Sequence, residues 1–171
     1  MSAVLVDEVE PSTGRDAQRD ERHRSFAGLF ALVRLIQAGI DLPGGGALST
    51  EQLAFVGHGR GGAFGVPFLA YEPAVRAAVL AGVGGDMVDW LNKRSATRNL
   101  RAELLEAFAE RGFNGMHRAL HLMQSWLDPR DPVHYGLLLR RPPEGVGGKH
   151  LLFFYGVDDP ITPPSTMNHL A

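Results

Sequence analysis

The residues on which chemistry could rest are concentrated in one turn. Leu53-Ala-Phe-Val-Gly-His-Gly-Arg-Gly-Gly62 carries an apolar run into a glycine cluster, then passes into Ala63-Phe64-Gly65-Val66-Pro67-Phe68-Leu69-Ala70. The pattern predicts a buried strand, a tight turn and a helix start. Two chemistries fit it. Gly57-His58-Gly59-Arg60-Gly61 has the frame G-x-S-x-G, in which a strained strand-to-helix turn lifts a nucleophile above a sheet, with Gly59 at the serine position. The backbone N–H of Arg60 would supply half of an oxyanion hole, and His58 and Gly61 would line the same pocket. Gly57, Gly59 and Gly62 equally match G-x-G-x-x-G, which holds a pyrophosphate on helix N-terminal amides. That fingerprint wants an acid at the end of the next strand. Here the next apolar run ends in Ala81-Gly82, and the nearest acid is Asp86.

Other candidates are weaker. Val157-Asp158-Asp159-Pro160-Ile161-Thr162-Pro163-Pro164 is a rigid loop after an apolar run, and taken alone reads as a solvated turn. His117 and His121 have the spacing of paired metal ligands on a helix, but Arg118 stands where a zinc protease needs Glu. Exposed or cap-lining histidines are the plainer reading, so no metal is expected. Gly145-Val-Gly-Gly-Lys-His150 is no phosphate-binding loop, because Pro143 takes the first glycine position and His150 replaces Ser/Thr. No cofactor is expected.

The elements that must position these residues follow from periodicity. Residues Ala3–Val6 form a short β-type run. A helix is expected from Asp16 through Phe26, Leu29, Phe30, Val33 and Ile36, with Gly39 as its stop. The run 53–57 is apolar on both faces and suits a central parallel strand. The helix after it should cover 61–71, with Pro67 shortening or bending it. Ala77–Gly82 is a second strand, closing a βαβ unit. Helices are expected at 86–92, about 98–111 and about 115–127, and a third strand at Leu151–Tyr155. Ligand sites in open α/β sheets lie at the C-terminal strand ends. That edge would carry Gly57–Gly62, Gly82–Asp86 and Gly156–Pro164.

With these residues placed, the chain resembles the α/β-hydrolase superfamily in its bacterial serine esterase/lipase branch, over roughly residues 16–168. The resemblance rests on Gly-His-x-x-Gly-Gly before a helix, an Ala/Val/Leu strand ending in Gly-x-Gly-Gly, a helical insertion, Asp131-Pro-Val-His-Tyr135, and a strand running into Gly156-x-x-Asp-x-x-x-Pro163. It implies one domain over 1–171 with a cap insertion at about 86–130. It also implies the triad acid at Asp159, with Asp158 as the alternative. The family's histidine base follows a further strand; His169, ten positions after Asp159, is the remaining candidate. Gly59 has no oxygen, so an acyl-enzyme route is closed there. The expectation is therefore an α/β-hydrolase-like chain that is catalytically impaired or a fragment, with a small ester or acyl molecule as its ligand. The alternatives are a non-catalytic small-ligand or interaction module, and nucleotide binding.

Composition bounds these readings. The 171 residues suffice for one domain with a core, and a net charge of -2 gives no electrostatic case for nucleic acid. The absence of cysteine excludes disulfides and thiolate chemistry. No apolar run reaches membrane-spanning length, and a cytoplasmic location is the default expectation. The fold expected is α/β: a short, mainly parallel sheet with helices on both faces and the helical cap. An exposed sheet edge could drive self-association.

Overall fold

The structure, a computed structural model, describes residues 27–40, 46–49, 51–93, 106 and 117–171. Three parallel strands lie in the order β1 (Leu53–His58), β2 (Val75–Ala81), β3 (His150–Phe154). Helix α1 is described over residues 27–37. Helix α2 (Gly59–Tyr71) links β1 to β2. Then come α3 (Met87–Lys93), α4 (Arg118–Leu127), a 3-10 turn (Asp128–Arg130) and α5 (Val133–Arg140) before β3, with α6 (Pro164–Leu170) after it. The expected α/β class and short parallel sheet flanked by helices are therefore present. The expected strand 3–6 and helix 98–111 lie outside the described residues, apart from residue 106.

The core sits on one sheet face. Phe55, Ala78 and Leu151 are in register across the strands, as are Gly57, Leu80 and Phe153. Val66, Phe68 and Leu69 of α2 and Leu139 of α5 pack on this row, with Val33 of α1 behind them. Phe68 meets the Phe30 ring edge-on at 5.0 Å, an arrangement aromatic pairs favour. This packing explains why α2 runs through Pro67 to Tyr71 instead of stopping near it: the helix face it buries outweighs the ~3 kcal/mol cost of an interior proline. α2 ends at Glu72, which is extended before Pro73. α1 ends as expected at Gly39, where φ is 83°.

The opposite sheet face contributes little to the core among the described residues, with Ala81 buried at its end. Val56, Val79 and Leu152 lie side by side in register, and His58, Ala81 and Phe154 form the next row. Val56 is 76% exposed, Leu152 57% and Phe154 54%. β1 was expected as a central strand covered on both faces. Among the described residues it is instead an edge strand, and its apolar run does not alternate in polarity as its burial does.

A second, smaller apolar cluster joins Val88 of α3 to Leu120 and Leu127 of α4. This layer is tied to the start of α5 by Asp131, which is fully buried. Its carboxylate accepts the N–H groups of Asp86, Met87 and Val133 and the side-chain amide of Gln124.

Candidate active site

The turn after β1 has the geometry of an elbow. His58 is extended, Gly59 enters the left-handed region at φ 51°, and α2 begins at once. A Cβ on Gly59 would meet nothing within 4 Å, so the position opens outward. The glycines beside it have the opposite property. A Cβ on Gly57 would lie 2.5 Å from Gly62 Cα, and one on Gly62 would lie 2.3 Å from Val83 Cγ2. Gly57 and Gly62 thus let strand and helix touch, while Gly59 lets the backbone turn. The first N–H groups of α2 have no partner within the helix and emerge at the same sheet edge.

That edge forms the floor of a cavity of about 300 Å³. Gly59, Gly82 and Thr162 supply its floor, one residue from the loop after each strand. Its roof is the α3–α4 layer, with Trp90, Met123 and Trp126 facing the space. The wall is apolar except for Arg60 and Arg130. Each guanidinium stands over an aromatic ring of the same wall, Arg60 over Phe64 at 5.9 Å and Arg130 over Trp126 at 5.5 Å. A small, apolar cavity with a few fixed polar groups suits a small amphipathic ligand.

Asp159 is half-buried beside this floor, whereas Asp158 is exposed. Asp159 Oδ1 accepts the N–H groups of Ile161 at 2.8 Å and Thr162 at 2.9 Å, which fixes the carboxylate. Its Oδ2 lies 3.4 Å from the Cβ position of Gly82. His169 does not join this group. Its Nδ1 is 3.7 Å from Asp86 Oδ2, in a separate cleft lined also by Gln124, Asp128 and His134. There Asp128 bonds Gln124 and His134, and these bonds, Gln124 first, hold its carboxyl below the usual range.

The remaining candidates have structural duties. Asp86 Oδ1 accepts the Asp89 N–H at the start of α3, so the acid nearest to a ribose-binding position is already engaged. His117 Nδ1 accepts the Ala119 N–H and caps α4. Among the described residues, no group of three or more His, Asp or Glu side chains could hold a metal. None of the described helices is long and apolar enough to cross a membrane. Trp90 and Trp126, which the sequence leaves open as core or as the lining of an apolar pocket, line the cavity. What sequence reasoning missed is Arg130 in the cavity wall and the buried anchoring role of Asp131. Arg130 and Asp131 sit in Asp-Pro-Arg-Asp-Pro, which reads as a helix stop and hides a buried carboxylate.

No protein-family description matches the chain, and no curated protein sequence matches it. Among solved structures it is similar to a puromycin-hydrolyzing peptidase from Mycobacterium tuberculosis. The TM-score is 0.53 at 16% identity over 85% of this chain. The chain spans 18% of that neighbour's length. At such identity the likeness is one of fold.

Proposed function

We propose that this chain is an α/β-hydrolase-like protein of the serine esterase/lipase type, with the cap at about 86–130, whose elbow cavity takes a small ester or acyl carboxylate without forming an acyl-enzyme. The observation that carries the reading is the open left-handed Gly59 at the floor of an apolar cavity flanked by Arg60 and Arg130. The likeness to a peptidase that hydrolyses puromycin supports a hydrolase-like fold. Gly59 occupies the nucleophile position without an oxygen, so the serine route is closed. In this reading the Arg60 N–H would supply half of an oxyanion hole, with His58 and Gly61 at its rim. Asp159 holds the position of the triad acid, while His169 is engaged by Asp86.

Retention of a small carboxylate is the second reading, favoured by the two guanidinium groups in an otherwise apolar wall. Both readings require the cavity to bind. The chain's two tryptophans, Trp90 and Trp126, both line it. Titration with butyrate and octanoate should therefore give a saturable change in tryptophan fluorescence. Intact mass after incubation with p-nitrophenyl butyrate should show no acyl adduct. An absence of saturable change would contradict the ligand site, and an adduct on the native chain would contradict the loss of covalent chemistry.

A further inference from the structure

Two side chains, one from the end of β1 and one from the loop after β3, converge on Gly82, the first residue after β2. Its Cβ position lies 3.4 Å from Asp159 Oδ2 and 3.9 Å from His58 Nε2. The two atoms are therefore no farther apart than the sum of those distances. No hydrogen bond or ion pair among the described residues joins them directly. A single water accepted between them needs a span of about 5.5 Å, two hydrogen bonds of ordinary length.

The backbone makes this convergence specific. Gly82 turns left-handed at φ 58° and donates its N–H to Phe154 O at 3.0 Å, so no side chain fills the space above it. The register aligns His58 with Ala81 and Ala81 with Phe154, which places His58, Gly82 and the loop of Asp159 on one line across the sheet end. Asp159 Oδ1 is committed to Ile161 and Thr162, which leaves Oδ2 as the oxygen turned toward Gly82. His58 is exposed and makes no side-chain bond to cap α2. Gly82 itself lines the cavity floor with Gly59.

We propose that His58 and Asp159 hold and activate a water at this point, as a general base pair that acts on an ester in the cavity without a serine. The inference rests on the cavity reading above and adds the identity of the base. Neutral His58 with its proton on Nδ1 presents Nε2 as an acceptor. The water oxygen bonds to the ester carbonyl carbon while its proton passes to His58 Nε2. Asp159 Oδ2 accepts the water's second O–H and orients it. The tetrahedral adduct then expels the alkoxide, which takes the proton back from His58 and leaves as alcohol. The products are the carboxylic acid and the alcohol, with His58 neutral again. This use of the elbow neighbour needs no oxygen at position 59 and no contact with His169.

The test uses the full chain and p-nitrophenyl acetate and butyrate, with the heat-unfolded chain as the measure of background imidazole hydrolysis. His58→Gln can hold a water but take no proton, and Asp159→Asn keeps an oxygen for Ile161 and Thr162. His121→Gln, on exposed α4 surface, is the control. The native chain should exceed the unfolded one, and His58→Gln should lower the rate by about a hundredfold, the low end for a lost general base, or to background. Asp159→Asn should also lower it, and His121→Gln should leave it unchanged. The native reaction should slow in D2O, since a proton is in flight. Butyrate binding by tryptophan fluorescence should survive in both variants. Native turnover at background with binding intact would overturn the dyad alone, as would turnover that persists in His58→Gln. Loss of both binding and turnover in the native chain would overturn the cavity reading and the dyad with it.

Discussion

The Asp131 carboxylate accepts the backbone N–H of Met87 at 2.6 Å across 44 residues of chain. With its bonds to Asp86, Val133 and Gln124, it fixes the start of α3 against the start of α5, and so fixes the roof over the cavity. Removing a buried carboxylate that satisfies several N–H donors leaves each donor unpaired, at about 1–3 kcal/mol apiece. Asp131→Ala should therefore lower stability by about 3 kcal/mol or more in urea unfolding, with loss of butyrate binding. A change below about 0.5 kcal/mol, the range of an ordinary surface site, would contradict the role given to Asp131.

The glycines of the elbow should both lose stability on gaining a side chain, Gly62 by overpacking and Gly59, to a smaller extent, by backbone strain. Gly62→Ala drives a methyl to 2.3 Å from Val83 and 3.0 Å from the Gly57 carbonyl carbon, and should cost about 1–3 kcal/mol or more as overpacking. Gly59→Ser meets no atom within 4 Å, and its left-handed backbone should cost about 1–2 kcal/mol. Thermal melts of the two variants check the order. Equal losses would mean that the strand–helix contact at Gly62 is looser than described.

Lys149 donates to the carbonyls of Glu72 and Val75, each at 2.6 Å. Burial lowers its pKa from 10.5, the Glu72 carboxylate opposes that shift, and Arg76 adds to it. Between the lowered value and 10.5 the unfolded chain holds this proton more firmly than the folded one, so stability contributed by this group rises with pH across that interval. Tyr135, raised above 10.0 by burial and by Tyr71, acts in the opposite sense at higher pH. The difference in unfolding free energy between the native chain and Lys149→Met, measured at stepped alkaline pH, should therefore shift in favour of the native chain below 10.5. A flat difference would contradict the burial of the ammonium group.

Among the described residues, Val56 and Leu152 flank Val79 on a sheet face that nothing covers, and β1 and β3 are both edges. Exposed apolar faces and open edges favour association. Light scattering should show mass rising with concentration for the native chain. Val56→Lys with Leu152→Lys should stay at monomer mass and change stability little. A native monomer at every concentration would contradict this expectation.

Much of this arrangement was legible from residue order. The glycine turn between an apolar run and a helix gave the elbow, and β1, β2 and β3 fall within two residues of their expected bounds. The misplaced features are those that depend on register. Leu151-Leu-Phe-Phe-Tyr155 is apolar throughout, so nothing in it distinguishes the buried Phe153 side from the exposed Leu152 side. Pro67 signals a shortened or bent helix, yet packing on the sheet carries α2 to its expected end at Tyr71. The approach of His58 to Asp159 over Gly82 needs three strands in register, and the two residues are far apart in sequence. His169 follows Asp159 closely in sequence, yet α6 turns it toward Asp86.

The most direct measurement is an amide chemical-shift titration of the isotope-labelled chain with butyrate. Saturable shifts should cluster at Gly59, Arg60, Gly82 and Gly84, whose amides line the cavity at the sheet edge. Shifts confined to other regions, or none at millimolar butyrate, would contradict a ligand site at this sheet edge.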